Sequence, residues 1–164
     1  MGTLQGKKSR KETAPLHTLT MGYLAVMCSA FLLFPAAGGY ERIGDWAYFL
    51  WRGLSLVYLV LLALTAAEVA LTGGGRIKAL LAPLARLSVP RICLLVYVGW
   101  SALAAWCSPY EGVWQGLSRH AGLSTILLYA AVFWAVSAYG RWDDRFLWAL
   151  GAVTVFNAGI GLLQ

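Results

Sequence analysis

The chain has 164 residues, 60% of them apolar and only 12% charged, against a charged share of about 25% in soluble domains, so too little of it is polar to face water all round. Its net charge of +6 does not point to nucleic acid, because the Lys and Arg residues flank apolar runs instead of tiling one face. Cys28, Cys93 and Cys107 fall inside those runs without metal-ligand spacing, which argues against a disulfide framework and makes them small buried apolar residues.

An apolar run of about 20 residues can cross the hydrocarbon core as a helix, and the sequence divides into a basic tail, residues 1–17, and an all-α bundle of about five such spans, residues 18–164. The tail carries Lys7, Lys8, Arg10 and Lys11. It has the charge of a signal peptide, but the apolar run after it reaches Ala37 without a convincing cleavage site, so a retained first span near 18–37 is expected. Pro35, Gly38 and Gly39 close that span. Arg42 lies in the short loop beyond it.

Span two, near 46–71, opens on Trp46, Tyr48 and Trp51, the composition of an interfacial aromatic belt. Arg52 follows about one turn inside. It suits either a snorkelling side chain or a cation aimed at an anionic substrate. Glu68 belongs at the opposite interface, and Gly73–Gly75 stop the helix; they lack the Lys-Ser/Thr ending of a phosphate-binding loop.

Residues 76–91 hold Arg76, Lys78, Arg86 and Arg91 and no acid. Ile77, Leu80, Leu81, Leu84 and Leu87 recur at helical spacing opposite Lys78 and Arg86, which predicts a surface-lying amphipathic segment bent at Pro83. Span three follows near 90–106, with Pro90 suited to a first helical turn. Span four lies near 122–139 and span five near 146–164, joined by the charged connection 140–145. Asn157 needs a partner inside the bundle, and the pairs Ala63/Ala67, Ala66/Ala70, Ser101/Ala105 and Ala131/Ala135 predict close helix approach.

Lys and Arg are distributed ten to three between alternate loops, which puts the N-terminus in the cytoplasm and the 38–45 and 107–121 loops outside. The chain contains no HExxH, Cys-x-x-Cys or Gly-x-Ser-x-Gly, and His17 and His120 stand alone, so neither a metal site nor a hydrolase elbow is indicated. The outer loop 107–121 is the candidate site. Arg119 and His120 directly precede the start of span four, where the positive helix end and an arginine fork can converge on a phosphate, and Glu111 can act as an acid or base if the loop folds back. The competing reading is a loop whose glycines permit turns and whose charges keep it wet.

The stretch Cys107-Ser-Pro-Tyr-Glu-Gly-Val-Trp-Gln-Gly-Leu-Ser-Arg-His-Ala-Gly-Leu123 resembles the loop that precedes an apolar span in the O-antigen ligase and polymerase family of membrane glycan transferases. Residues 34–50 and the closing Gly159-Ile-Gly-Leu-Leu-Gln164 look similar to other members of that family. The resemblance implies multi-pass residence in a bacterial cytoplasmic membrane, an undecaprenyl-pyrophosphate-linked glycan as partner, transfer on the outer face and no metal or cofactor. It also implies that this chain is the front part of a longer protein, packed against further transmembrane helices, with the main catalytic residues beyond Gln164. No catalytic residue is therefore assigned here. Arg119, His120 and Glu111, with Arg52 and Arg42, are candidates for substrate binding. The alternative is a small non-catalytic membrane scaffold or accessory subunit, which rests on the small-residue faces and the lack of a full catalytic set.

Overall fold

The computed structural model describes residues 14–33, 43–72, 77–109, 112–116, 122–141 and 144–163. Among these residues there are six helices and no strand: α1 Ala14–Leu33, α2 Ile43–Thr72, α3 Ile77–Ala85, α4 Val89–Cys107, α5 Leu123–Tyr139 and α6 Asp144–Leu163. Asp45–Thr72 of α2 and Val89–Cys107 of α4 are long and apolar enough to cross a membrane, and α5 is a shorter apolar helix.

The helices follow the apolar runs, with shifts that have local causes. Span one begins at Ala14 instead of Thr18, which takes residues 14–17 out of the expected tail. Pro15 is compatible with a first helical turn, and Leu16 next to it is fully buried, so packing draws the helix start into the bundle. Pro35 and the glycines expected to close this span lie outside the described residues, as do the side chain of Asn157 and Gly73–Arg76. The segment at 77–85 is helical through Pro83. Its Leu84 packs on the core, whereas Leu81 and Leu87, expected on the same apolar face, are exposed.

Helices α1, α2, α4 and α5 run alternately between two ends. The start of α1, the end of α2, all of α3, the start of α4 and the end of α5 gather at a basic end, marked by the hydrogen bond from His17 Nδ1 to the Tyr139 carbonyl (2.9 Å) and by Arg91 Nε to Ser137 Oγ (3.0 Å). The start of α2 and the start of α5 meet at the opposite, loop end, where Tyr48 Oη lies 3.2 Å from Thr125 Oγ1. Leu16, Tyr58, Leu62, Ala135 and Tyr139 form the buried cluster where α1, α2 and α5 meet.

Polar side chains are buried beside apolar ones where the helices meet, and large apolar ones are exposed. Leu16, Thr20 and Ser55 are the largest fully buried side chains, two of them polar. Thr20 Oγ1 donates to the Leu16 carbonyl (2.8 Å) and lies 3.0 Å from Tyr58 Oη, which leaves the tyrosine hydroxyl as donor in that pair. Tyr23 Oη and Ser55 Oγ are 2.8 Å apart, and the Tyr23 and Tyr58 rings stack at 4.2 Å. Meanwhile Val96, Tyr97, Trp100, Leu103 and Trp106 stand on an open face of α4, and only 6% of its apolar window is buried, against 17% for α2. Both helices are long and apolar enough to cross a membrane, and neither is mostly buried as the core helix of a soluble domain is. Exposed apolar area costs about 25 cal/mol per Å² in water, whereas lipid removes that cost.

Two sequence expectations are corrected by this exposure. Cys93 and Cys107 are exposed, because α4 lays one side on α5 and leaves the rest open; all three cysteines are free thiols. Of the two small-residue pairs on α2, Ala66 and Ala70 pack against the core while Ala63 and Ala67 are exposed, since neighbouring faces of one helix cannot both meet the core.

Candidate functional site

Arg52 lies deeper than expected. Because α2 starts at Ile43, the residue is about two and a half turns from the helix end at 3.6 residues per turn. Side chains on a helix lean toward its N-terminus, and Arg52 follows that rule: Nη1 donates to Tyr48 Oη one turn back (2.7 Å), with Cζ 5.8 Å from the Tyr48 ring centre. Arg52 is half-buried. The guanidinium is thus drawn toward the loop end, which is the geometry of a snorkelling arginine and equally of a cation held ready at that end.

Tyr48 passes the connection to Thr125, in the first turn of α5. Beside it the Trp51 and Tyr129 rings stack at 4.0 Å with an interplanar angle of 25°. Arg52, Tyr48, Trp51, Thr125 and Tyr129 therefore form one polar and aromatic cluster across α2 and α5. Sequence reasoning reached Arg52 and the belt aromatics and missed Thr125 and Tyr129. Nothing in a single sequence pairs residues separated by more than seventy positions.

The described part of the outer loop is ordered against the same helix start. Gly112 and Gly116 adopt φ values of 86° and 76°, which let residues 112–116 close through Gln115 N to Gly112 O (3.1 Å) and Gly116 N to Gly112 O (2.7 Å). This turn then supplies the cap of α5: Leu123 N donates to Val113 O (3.0 Å) and Ser124 N to Trp114 O (3.1 Å). Gly122 permits the approach, since a Cβ there would come within 2.5 Å of backbone atoms of Gln115 and Gly116.

The open amide cradle expected at the start of span four is consequently filled by loop carbonyls. Thr125 N and Ile126 N also donate, to the Gly122 carbonyl at 3.0 and 3.3 Å. What the site offers an anion is side chains instead. Ser124 Oγ is screened from solvent and has no hydrogen-bond partner among the described residues. Trp106, Trp114 and Leu123 line a shallow cleft of about 420 Å³ between the turn and the last turns of α4.

Arg42, Glu111, Arg119 and His120 lie outside the described residues. Glu68 is exposed in the last turns of α2, and its carbonyl accepts Thr72 Oγ1 at 2.8 Å. Among the described residues no group of three His, Cys, Asp or Glu side chains is placed to hold a metal ion.

A second arginine, at the basic end, was not singled out by sequence. Arg91 is buried, with 4% of its surface exposed. Its Nη1 donates to the carbonyls of Pro83 (2.7 Å), Leu84 (3.5 Å) and Arg86, and its guanidinium lies 5.3 Å from the Trp134 ring centre. A helix leaves its last carbonyls without intrahelical partners, and a cation there is favoured by the helix dipole. Arg91 is therefore a structural clamp that caps α3 and ties it to α4 and α5.

Comparison with known proteins adds no relative: no family model, no curated protein and no solved structure matches the chain.

Proposed function

We propose that this chain is the membrane-spanning region of a transferase of the O-antigen ligase or polymerase kind, which handles an undecaprenyl-pyrophosphate-linked glycan on the outer face of a bacterial cytoplasmic membrane. The observation that carries the reading is that Arg52, held by Tyr48 and leaning to the loop end, shares that end with the 107–123 loop that resembles the family. A pyrophosphate suits a guanidinium fork, and the stacked Trp51 and Tyr129 rings supply an aromatic wall beside it.

The membrane setting has separate support. The alternating helices, the hydroxyl pairs buried between them and the apolar faces of α2 and α4 turned outward all suit about five crossings, with the basic end toward the cytoplasm. In this reading Arg52, Arg119, His120, Glu111 and Arg42 bind substrate.

The test is binding of undecaprenyl pyrophosphate, compared with undecaprenol, by the protein in lipid nanodiscs. The pyrophosphate binds more tightly, and Arg52→Gln and Arg119→Gln each weaken it about tenfold or more, as loss of a charge-assisted hydrogen bond requires. Equal affinity for the two lipids, unchanged in both variants, returns Arg52 to a snorkelling role. The accessory-scaffold reading then prevails, and the wide open face of α4 favours it.

A further inference from the structure

At the basic end, away from the Arg52 cluster, a cleft of about 710 Å³ opens between the start of α1, the end of α3 and the α5–α6 corner, and His17, Arg86 and Arg141 line it. It is polar and cationic. A second cavity of about 380 Å³ adjoins it through the shared residues Gly140 and Arg141, and its wall is formed by Leu24, Cys28, Phe146 and Leu150. Cys28 and Phe146 in turn line a third, mainly apolar cavity that continues along α1 and α6 beside Ala149 and Ala152, with Arg145 and Ser29 also in its wall. Among the described residues lining the three cavities there is no acid.

A cationic chamber that leads into an apolar groove matches an anionic amphiphile. We propose that this paired cavity holds an anionic phospholipid of the surrounding membrane, with its phosphate between Arg86, Arg141 and His17 and one acyl chain in the groove between α1 and α6. Arg86 and Arg141 are exposed and reach the phosphate without a desolvation cost of the kind a buried guanidinium carries. His17 is oriented for the task. Its Nδ1 donates to the Tyr139 carbonyl, so the imidazolium ring has Nε2–H left to donate to the phosphate. The apolar groove decides the class of ligand: a soluble phosphate satisfies only the chamber, a phospholipid satisfies both.

This site does not rest on the transferase reading. It is tested by native mass spectrometry of the full chain released from mixed vesicles of phosphatidylglycerol and phosphatidylcholine, with affinities from titration of each lipid. Phosphatidylglycerol is retained in preference to phosphatidylcholine. Each arginine near a membrane surface is worth roughly fivefold in binding an anionic lipid, so Arg86→Gln with Arg141→Gln lowers retention by roughly thirtyfold. Leu150→Gln, in the groove, lowers it as well and leaves the chamber intact. All three residues are exposed on the protein surface, and circular dichroism checks that these variants keep the wild-type helix content. Glycerol 3-phosphate is the competing arm. If it displaces the lipid at comparable concentration and Leu150→Gln is silent, the site takes a soluble phosphate and the proposal fails; equal retention of the two phospholipids overturns it outright.

Discussion

Arg91 and Trp134 converge on one carbonyl: Nε1 of the indole donates to Leu84 O at 2.9 Å, and Nη1 of the guanidinium reaches the same oxygen at 3.5 Å from above the indole ring. Through that pair the end of α3 is fixed to α4 and α5. Arg91→Met removes every charged donor from the carbonyls of Pro83, Leu84 and Arg86, a loss of about 2–3 kcal/mol for buried acceptors. At roughly 2–4 °C per kcal/mol for a chain of this size, the melting temperature in detergent falls by about 5–10 °C. Trp134→Phe, which keeps Arg91, costs less than half as much. Equal melting of Arg91→Met and wild type shows that the corner is held by packing alone.

The turn at 112–116 depends on the missing side chain at Gly122. Gly122→Ala drives a methyl group into the backbone of Gln115 and Gly116, and overpacking of this kind costs about 1–3 kcal/mol. The turn lifts from α5, so limited proteolysis cuts the loop faster while the helix content seen by circular dichroism is unchanged. A loop equally resistant in both proteins refutes the capping contact.

Hydroxyl pairs join α1 to α2 at two levels. Because Thr20 keeps its bond to the Leu16 carbonyl when Tyr58 is replaced, Tyr58→Phe is mild. A double-mutant cycle of Thr20→Val with Tyr58→Phe returns a coupling of about 0.6 kcal/mol, the usual value between helices in a bilayer. A coupling indistinguishable from zero removes the pair from the list of contacts that hold α1.

The helix inventory was legible in the sequence because the length of an apolar run is a local property. Four of the five expected spans are helices within a few residues of their expected bounds, and the first slid toward the N-terminus once Leu16 was buried. Faces were less legible. The pattern at Ala63, Ala66, Ala67 and Ala70 permits contact on either side, and only the placement of the core selects Ala66 and Ala70. The sites were least legible. Arg52 was flagged by being a charge within an apolar run, whereas Arg91 sat in a basic stretch that topology alone accounted for, and its partners were carbonyls, which leave no trace in a sequence.

Cysteine reactivity follows from the exposure of α4. Cys93 and Cys107 are both open at the protein surface, but reagent reaches a thiol only where water does. With α4 across a membrane, Cys107 at the loop end reacts with a water-soluble maleimide in nanodiscs and Cys93, placed within the apolar run, reacts at least about tenfold more slowly, because the hydrocarbon keeps the reagent from it. In detergent-free denaturant the two react alike. Equal rates in nanodiscs mean that α4 lies outside the hydrocarbon.

The alternation of the helices between a basic end and a loop end underlies both proposed sites, and the most direct test of the proposed crossing, with the basic end in the cytoplasm, is sidedness of labelling. In a variant with its three cysteines replaced by serine, Gln115→Cys at the loop end and Ser88→Cys at the basic end are introduced singly; both positions are exposed. Treated with a membrane-impermeant maleimide, right-side-out vesicles label Gln115→Cys at once and Ser88→Cys only after lysis. Labelling of both positions from the same side contradicts a crossing between them, and the reverse order places the Arg52 cluster in the cytoplasm and ends the proposal of an outward-facing transferase.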